Sequence, residues 1–499
     1  MAKISRYQNV LLLAFVALTF FFLRLYRLPF IPKLYPDEIS NIDVARSFWS
    51  GRPTMIGIYY PFFTQLPLYF LVSAIGLFFS PINDFLTLRY LSVFYSSFAV
   101  LLAYLISLKF FKNKWLALAP VLLLAIDPYL IIFNRYAFSR NLYCSLVLLL
   151  ALLTLSHKES PSLKFFFLIA LLVGLMSLSD IYLWPYLVIV FLVTLLKGRS
   201  AKYAPRQYFL FVALASLPLI FYVVWGWANF GPAFFKRIFY LISVRGGLDS
   251  SLPGAYLNGL ADFLNLTLKN PLLVLGLLYC LLPFPKKTRY LDIFTVVILL
   301  SIILVSARDA SLHERIKIIY YPFLYIGFAG ILAWFMALIP RLKKEFLILI
   351  TFLLIIFQAP KISVALGGGN NFMDTYGIWQ PEEASAVAEY INSHHIEGKV
   401  SVIEASLSWQ IKGNKAVITQ LLFYQGIDTT FYPKEIRDDR YFIYPLDLDN
   451  LDYAVLGEFT KKIWTVHQPG AKNLIDYFQS NWIKVFSAGE YEIYKNPKI

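Results

Sequence analysis

Apolar residues come in long blocks from residue 8 to about residue 359, and then the blocks stop. A helix needs about 20 such residues to cross a bilayer. Eleven blocks qualify as spans: 8–28, 84–108, 115–133, 141–156, 164–179, 181–196, 207–226, 270–285, 290–306, 317–338 and 345–359. The polar positions between them alternate in charge. With the amino-terminal Lys3 and Arg6 in the cytoplasm, every second loop is basic. Those loops carry Lys109, Lys112 and Lys114; Lys158 and Lys164; Lys197, Arg199, Lys202 and Arg206; Lys286, Lys287 and Arg289; and Arg341, Lys343 and Lys344. Lys and Arg concentrate on the cytoplasmic side of membrane proteins, so this alternation predicts the orientation of every span. Residues 29–83 become a long first outer loop, the stretch around 227–269 another, and an odd count places the polar carboxy-terminal part outside.

One apolar run strains the scheme. "QLPLYFLVSAIGLFF" (65–79) could be a short span, but counting it would move every later basic cluster outside. It reads instead as a helix lying in the outer interface. The first block, Val10 to Leu25, lacks a small-residue cleavage site and reads as a retained span.

From "GGGNN" (367–371) the pattern is that of a water-soluble unit. "PEEASAVAEYINSH" opens with a proline and two acids and repeats apolar residues at helical spacing. "KVSVIEA", "YAVLGEF" and "GEYEIYKN" read as strands. The triple glycine lacks the strand–turn–helix setting and the lysine of a phosphate loop, so it reads as a linker. The expected fold is a polytopic α-helical membrane module over 1–359 followed by a small extracytoplasmic α/β domain over 360–499.

Composition agrees. Of 499 residues 59% are hydrophobic and only 15% charged, too few to cover a soluble protein of this size. The net charge of +15 is uneven: residues 360–499 hold 13 Lys and Arg against 17 Asp and Glu, and residues 1–359 hold 32 against 13. A basic membrane part reflects topology and anionic lipid, which argues against nucleic-acid binding. Cys144 and Cys280 both lie in apolar blocks and make neither a disulfide framework nor a thiolate metal site. His157, His313 and the His394–His395 pair are too dispersed for a zinc set, so no metal or other cofactor is expected.

Charge at the outer ends of the spans is the remaining anomaly. "LYPDEISNIDVARSFW" (34–49) sets Asp37 and Glu38 at the start of an amphipathic helix. Acids there complement the helix dipole, which is one reading. The other is a carboxylate base at the membrane surface beside a bound substrate. Around it, Asp127, Arg135 and Arg140 fall in "DPYLIIFNRYAFSRN", Asp180 and Tyr182 in "LSDIYLWP", and Arg308, His313, Arg315 and Lys317 in "SARDASLHERIKIIYYP". Taken singly these are interfacial anchors. Together, carboxylates and an Arg/His/Lys cluster suit a nucleophile to be deprotonated and a phosphate leaving group to be stabilised, and the arginine fork matches phosphate oxygens.

The acidic pair after the first span, "LPLYF" (66–70), "LRYLSVFYSSFAVLLAYLISLKFF" (88–111), "NRYAF" (134–138) and a late Tyr-x-Pro span (Tyr320 to Pro322) give the chain a resemblance. Over about residues 8–340 it resembles the superfamily-C (GT-C) glycosyltransferases, especially the protein O-mannosyltransferase and aminoarabinose transferase relatives. The resemblance implies transfer of a sugar from a polyprenyl-phosphate carrier to an extracytoplasmic protein, lipid or glycan, by one inverting displacement, at the plasma membrane. It makes Asp37 the catalytic carboxylate with Glu38 beside it. The residues available to the donor phosphate are then Arg89, Arg135, His313, Arg315 and Lys317, and those for the substrates Asp127, Arg140, Asp180, Tyr182 and Tyr320. Many relatives carry an acid about five residues after the arginine matching Arg135. Here that position is Arg140, which leaves Asp180 or Asp127 to compensate, or the acceptor to differ.

Two other classes compete. A transporter or lipid flippase would carry charge or Gly/Pro breaks near mid-span in paired halves, whereas these span centres are nearly free of charge and no internal repeat is visible. An inactive GT-C scaffold would be consistent with Arg140.

Overall fold

The structure is a computed structural model. It describes residues 2–33, 35–49, 55–56, 60–61, 66–111, 113–156, 162–200, 202–232, 234–235, 238–239, 252–282, 288–305, 310–338, 344–367, 381–394, 400–402, 407, 409–411, 415–417, 448–457, 459–464 and 469–499. Arg308 and the triple-glycine linker after Gly367 lie outside the described residues.

Every predicted span falls on a helix. In chain order these are α1 (Ala2–Leu25), α4 (Asp84–Phe110), α5 (Lys114–Ile126) with α6 (Pro128–Phe133), α7 (Ser139–Ser156), α8 (Leu163–Met176), α9 (Trp184–Ser200) and α10 (Pro205–Phe230). They continue as α12 (Pro271–Leu281), α13 (Arg289–Val305), α14 (Ala310–Leu338) and α15 (Lys344–Gly367). Among the described residues, five segments are long and apolar enough on their own to cross a bilayer: Asp84–Phe110, Ser139–Ser156, Ile181–Arg199, Pro205–Phe230 and Arg315–Leu338. The chain is an integral membrane protein. The predicted third span is two helices because Asp127 breaks it: its side chain caps Leu130 N–H at 2.9 Å, and Pro128 suits the first turn that follows.

Two short helices precede the second span, α2 (Pro36–Ser47) and α3 (Leu68–Phe79). Twelve residues give α3 about 18 Å, well short of the hydrocarbon thickness. Its Tyr69, Phe70, Ser73 and Ala74 are buried, while Leu71, Ile75, Phe78 and Phe79 stay exposed. Residues read as outer loop around 227–269 include a further helix, α11 (Leu252–Leu268), which packs against α12, α13 and α14.

Helices α12 and α14 cross closely, and glycine makes it possible. A Cβ on Gly276 would stand 2.0 Å from the Leu324 carbonyl oxygen, and one on Gly327 would stand 2.6 Å from the Gly276 carbonyl oxygen. Within a membrane, small residues at such crossings let backbones approach and gain dispersion contact that lipid would otherwise supply.

The carboxy-terminal part holds α16 (Pro381–His394), β3 (Val400–Val402), β4 (Lys415–Val417), β5 (Tyr453–Leu456), α17 (Pro469–Asn481), β6 (Ile483–Ala488) and β7 (Tyr491–Lys495). A two-stranded β1 (Met55–Ile56) and β2 (Tyr60–Pro61) lies earlier, in the first loop. The five carboxy-terminal strands form one mixed sheet in the order β4-β3-β5-β7-β6, parallel across its first two pairs and antiparallel across the last two. The apolar stripe of α16 (Ala384, Val387, Ala388, Ile391) buries against Val400, Leu407, Ile411, Tyr453, Val455 and Ile493.

Candidate active site

Helix α2 carries the acidic pair, and its first turn sends the two side chains in different directions. Neighbouring residues on a helix point about 100° apart. Asp37 turns toward the rim, where its side chain is 40% exposed and Arg315 Nη1 meets its Oδ2 at 2.5 Å. Glu38 turns inward and is completely buried.

Glu38 is held by four hydrogen bonds. Arg89 donates through Nε at 3.0 Å and Nη2 at 2.8 Å, the bidentate form that suits a carboxylate. Ala137 N–H donates at 2.9 Å and Tyr35 N–H at 3.1 Å. The last of these is the returning half of a capping box, with glutamate three places into the helix. Arg89 spends its remaining N–H groups on the carbonyls of Leu28, Pro32 and Lys33. All five of its donors are engaged by the protein. Arg89, expected at the donor phosphate, here braces Glu38 and the turn between α1 and α2. Removing one partner of such a pair would strand a buried charge, at a cost of about 3–5 kcal/mol.

The turn 134–138 is clamped to the same helices through its main chain. Besides the Ala137 N–H bond to Glu38, the Ala137 carbonyl accepts from Asn41 Nδ2 at 2.8 Å and from Tyr69 OH at 2.9 Å. Asn141 Nδ2 closes the turn from within by donating to Phe133 and Tyr136 carbonyls, and its Oδ1 accepts from Asn134.

Arg315 approaches from α14. It donates to Asp37 and to the hydroxyl of Tyr35, and its guanidinium stands 4.9 Å from the Tyr35 ring centroid and 5.9 Å from that of Phe138. Tyr35 and Phe138 meet edge to face at 5.5 Å. Apolar ring walls around an ion pair lower the local dielectric and strengthen it. Beyond Asp37 lies Arg140, buried in the first turn of α7 and within electrostatic range of Asp180, Tyr182, Tyr143 and Asp37. Asp180 caps the turn before α9, accepting Ile181 N–H at 2.9 Å, and Tyr143 donates to the Ser179 carbonyl at 3.0 Å. Asp37 is thus flanked by two arginines, one from α14 and one from α7.

Arg135 is buried and keeps donors to spare. One Nη2 bond goes to the Tyr26 carbonyl, while Nε and Nη1 have no hydrogen-bond partner among the described residues. Burial, with Arg89 nearby, pulls this guanidinium down to about 9, which still leaves it charged at neutral pH.

The other predicted residues group differently. Lys317 stands 4.6 Å over the Tyr129 ring, Tyr129 meets Tyr321, and Tyr321 meets Tyr320 and Tyr325. Tyr325 donates to Asp127. This aromatic column joins α6 to α14, so Asp127 is a helix cap and inter-helix tie, and Tyr320 packs 5.6 Å from Phe263 of α11. The His313 side chain lies outside the described residues. Among the described residues no cluster of three His, Cys, Asp or Glu side chains could hold a metal ion.

Sequence reasoning missed Tyr35, Phe138, Tyr69, Asn41 and Tyr143. Tyr69 and Phe138 fall within the quoted "LPLYF" and "NRYAF", and Tyr35 stands three residues before Glu38, the spacing of a capping box.

No protein-family model matches the sequence, and no curated protein matches it. Solved structures do. The aminoarabinose transferase ArnT from Cupriavidus metallidurans, bound to undecaprenyl phosphate, is similar with a TM-score of 0.60 at 12% identity, over 97% of each chain. The oligosaccharyltransferase of Archaeoglobus fulgidus in its apo form is similar with a TM-score of 0.54 at 13% identity, over 92% of this chain and 70% of that one. The same enzyme tethered to an acceptor peptide gives 0.52 at 13% identity, over 99% and 75%. Both enzymes are GT-C glycosyltransferases, and the chain has their fold.

Proposed function

We propose that the chain is a glycosyltransferase that moves a sugar from a polyprenyl-phosphate donor to an acceptor on the extracytoplasmic face of the plasma membrane. The observation that carries this reading is the Asp37–Arg315 pair, a partly exposed carboxylate and a guanidinium side by side at the rim of a membrane bundle. Two likenesses support it: ArnT of the same fold is bound to undecaprenyl phosphate, and the oligosaccharyltransferase is tethered to an acceptor peptide.

In the proposed reaction the acceptor's nucleophilic atom attacks the anomeric carbon from the face opposite the phosphate. The bond from that carbon to the phosphate oxygen breaks, its electron pair leaves with the phosphate, and the configuration inverts. Asp37 takes the acceptor proton. Arg315 swings its fork from Asp37 to the leaving phosphate, where charge grows as the bond breaks. Arg135, two of whose donors have no partner among the described residues, supplies further positive charge, as do Lys317 and His313. Arg140, Asp180 and Tyr182 line the acceptor side. Glu38 takes no part in proton transfer and fixes the depth of Asp37 instead. The exposed apolar face of α3 lies in the outer interface and sets that depth against the lipid phosphate. All eleven predicted spans cross, and the chemistry uses no metal.

The test is transfer from synthetic polyprenyl-phosphate sugars in membranes holding wild type or Asp37→Asn. Transfer by the wild type and its loss in the variant support the reading. Full activity in Asp37→Asn removes Asp37 as the base, and no transfer from any donor removes the function.

A further inference from the structure

The carboxy-terminal domain touches the membrane part through a segment that the proposed reaction does not use. Leu407 and Ile411 are buried in the core of that domain. Between them, Gln410 is tied to α16: its carbonyl accepts from Asn392 at 3.0 Å and its side chain from Ser385 at 3.2 Å. A segment pinned at both ends presents Trp409 outward in one orientation.

Trp409 then lands on the layer beneath the acidic pair. Its ring stacks on Phe85 at 5.9 Å with 26° between the planes. Phe85 in turn carries the Arg89 guanidinium 4.3 Å over its ring, and Arg89 is the partner of Glu38. Ile39 and Ile42 of α2 are buried in the same layer. At the far end of α2, Arg46 donates to the Trp409 carbonyl at 2.7 Å and also bonds Asp84 in the first turn of α4. Among the described residues the buried Trp409 indole N–H has no hydrogen-bond partner, and the ring meets Phe85 through its face.

We propose that Trp409 is a positioning residue. Through Phe85 and Arg46 the carboxy-terminal domain holds α2 against α4, and so fixes where Asp37 sits. The catalytic part of this inference rests on the proposed function; the mechanical part does not.

The experiment uses the full chain, purified in detergent micelles, as wild type, Trp409→Ala and Trp409→Phe. Hydrogen exchange of the 36–47 peptide reports on α2, and exchange of the 483–495 hairpin reports on whether the domain stays folded. Trp409→Ala speeds exchange in 36–47 by about tenfold or more while the hairpin stays protected, and Trp409→Phe restores it. In the transfer assay kcat falls about tenfold in the Ala variant, with KM for the donor unchanged, because displacing a reacting group by a fraction of an ångström is enough. If the Ala variant unfolds the domain, Phe85→Leu removes the same stack from the other side and decides the matter. Unchanged exchange in 36–47 with the stack removed and the hairpin intact overturns the proposal. Absence of transfer in the wild type overturns the function and leaves the exchange result to judge Trp409.

Discussion

Arg89 grips Glu38 through two parallel hydrogen bonds, 3.0 and 2.8 Å long, with neither side chain open to solvent. One residue earlier, Asp37 is partly exposed and meets a different arginine. Adjacent acids have separate tasks, and the predictions follow from that separation.

Arg89→Ala leaves a buried carboxylate without its counter-ion and takes an arginine donor from three carbonyls. The variant loses about 3–5 kcal/mol of stability. A thermal melt in detergent reads this as a lower Tm, and Glu38→Gln lowers it too, because the amide leaves Arg89 without its counter-ion and turns an NH2 toward two of the four donors that Glu38 accepts.

Asp37→Asn behaves in the opposite way. Tm stays close to wild type, since the side chain is half in solvent, while transfer falls by about 10²–10⁴-fold. Paired melts and transfer assays on the two acids check the assignment, and equal phenotypes would sink it.

Arg315→Lys keeps a positive charge and loses the fork that meets Asp37 and Tyr35 together. It retains part of the activity, whereas Arg315→Ala drops kcat by about 10²–10³-fold. Steady-state kinetics with one donor at varied concentration separates the two.

The carboxy-terminal hairpin carries a pH-dependent staple. Burial alone would raise the Glu492 carboxyl, but the hydrogen bonds from Lys461 and Lys484 outweigh it and hold the group down at about 2 against an ordinary 4.5. A carboxyl lowered by folding stabilises fully above its unfolded value and loses that contribution as pH falls from about 4.5 toward about 2. Hydrogen exchange in 483–495 therefore speeds over that window in wild type. Glu492→Gln flattens the response.

Gly276→Leu forces α12 away from α14, because even a Cβ would stand 2.0 Å from the Leu324 carbonyl. Overpacking of this kind costs about 1–3 kcal/mol or more. A melt measures the loss, and Gly231→Ala, at a position with open space around the Cβ but a positive φ of 56°, should show the smaller cost of backbone strain alone.

The bundle was legible because a span is a long, repeated signal: all eleven apolar blocks lie on helices. Helix α11 was not, since "LPGAYLNGLADFLNLTL" mixes proline, glycine and asparagine with an apolar stripe that includes the buried Phe263. The helix and three strands read in the carboxy-terminal part are present, while β6, with its largely exposed pattern, passed unnoticed. In the site, residue types could nominate Asp37 and Arg315 but could not pair positions 278 apart in the chain. Nor could they separate Asp37 from Glu38, because that distinction depends on which side of α2 faces α4.

The anchors around α2 are mostly main-chain groups. The carbonyls of Leu28, Pro32, Lys33, Ala137 and Trp409 and the N–H groups of Tyr35 and Ala137 do much of the holding. A peptide group offers the same donor and acceptor whichever side chain it bears. Substitution can therefore rewrite most of the letters around such a cradle while its shape persists.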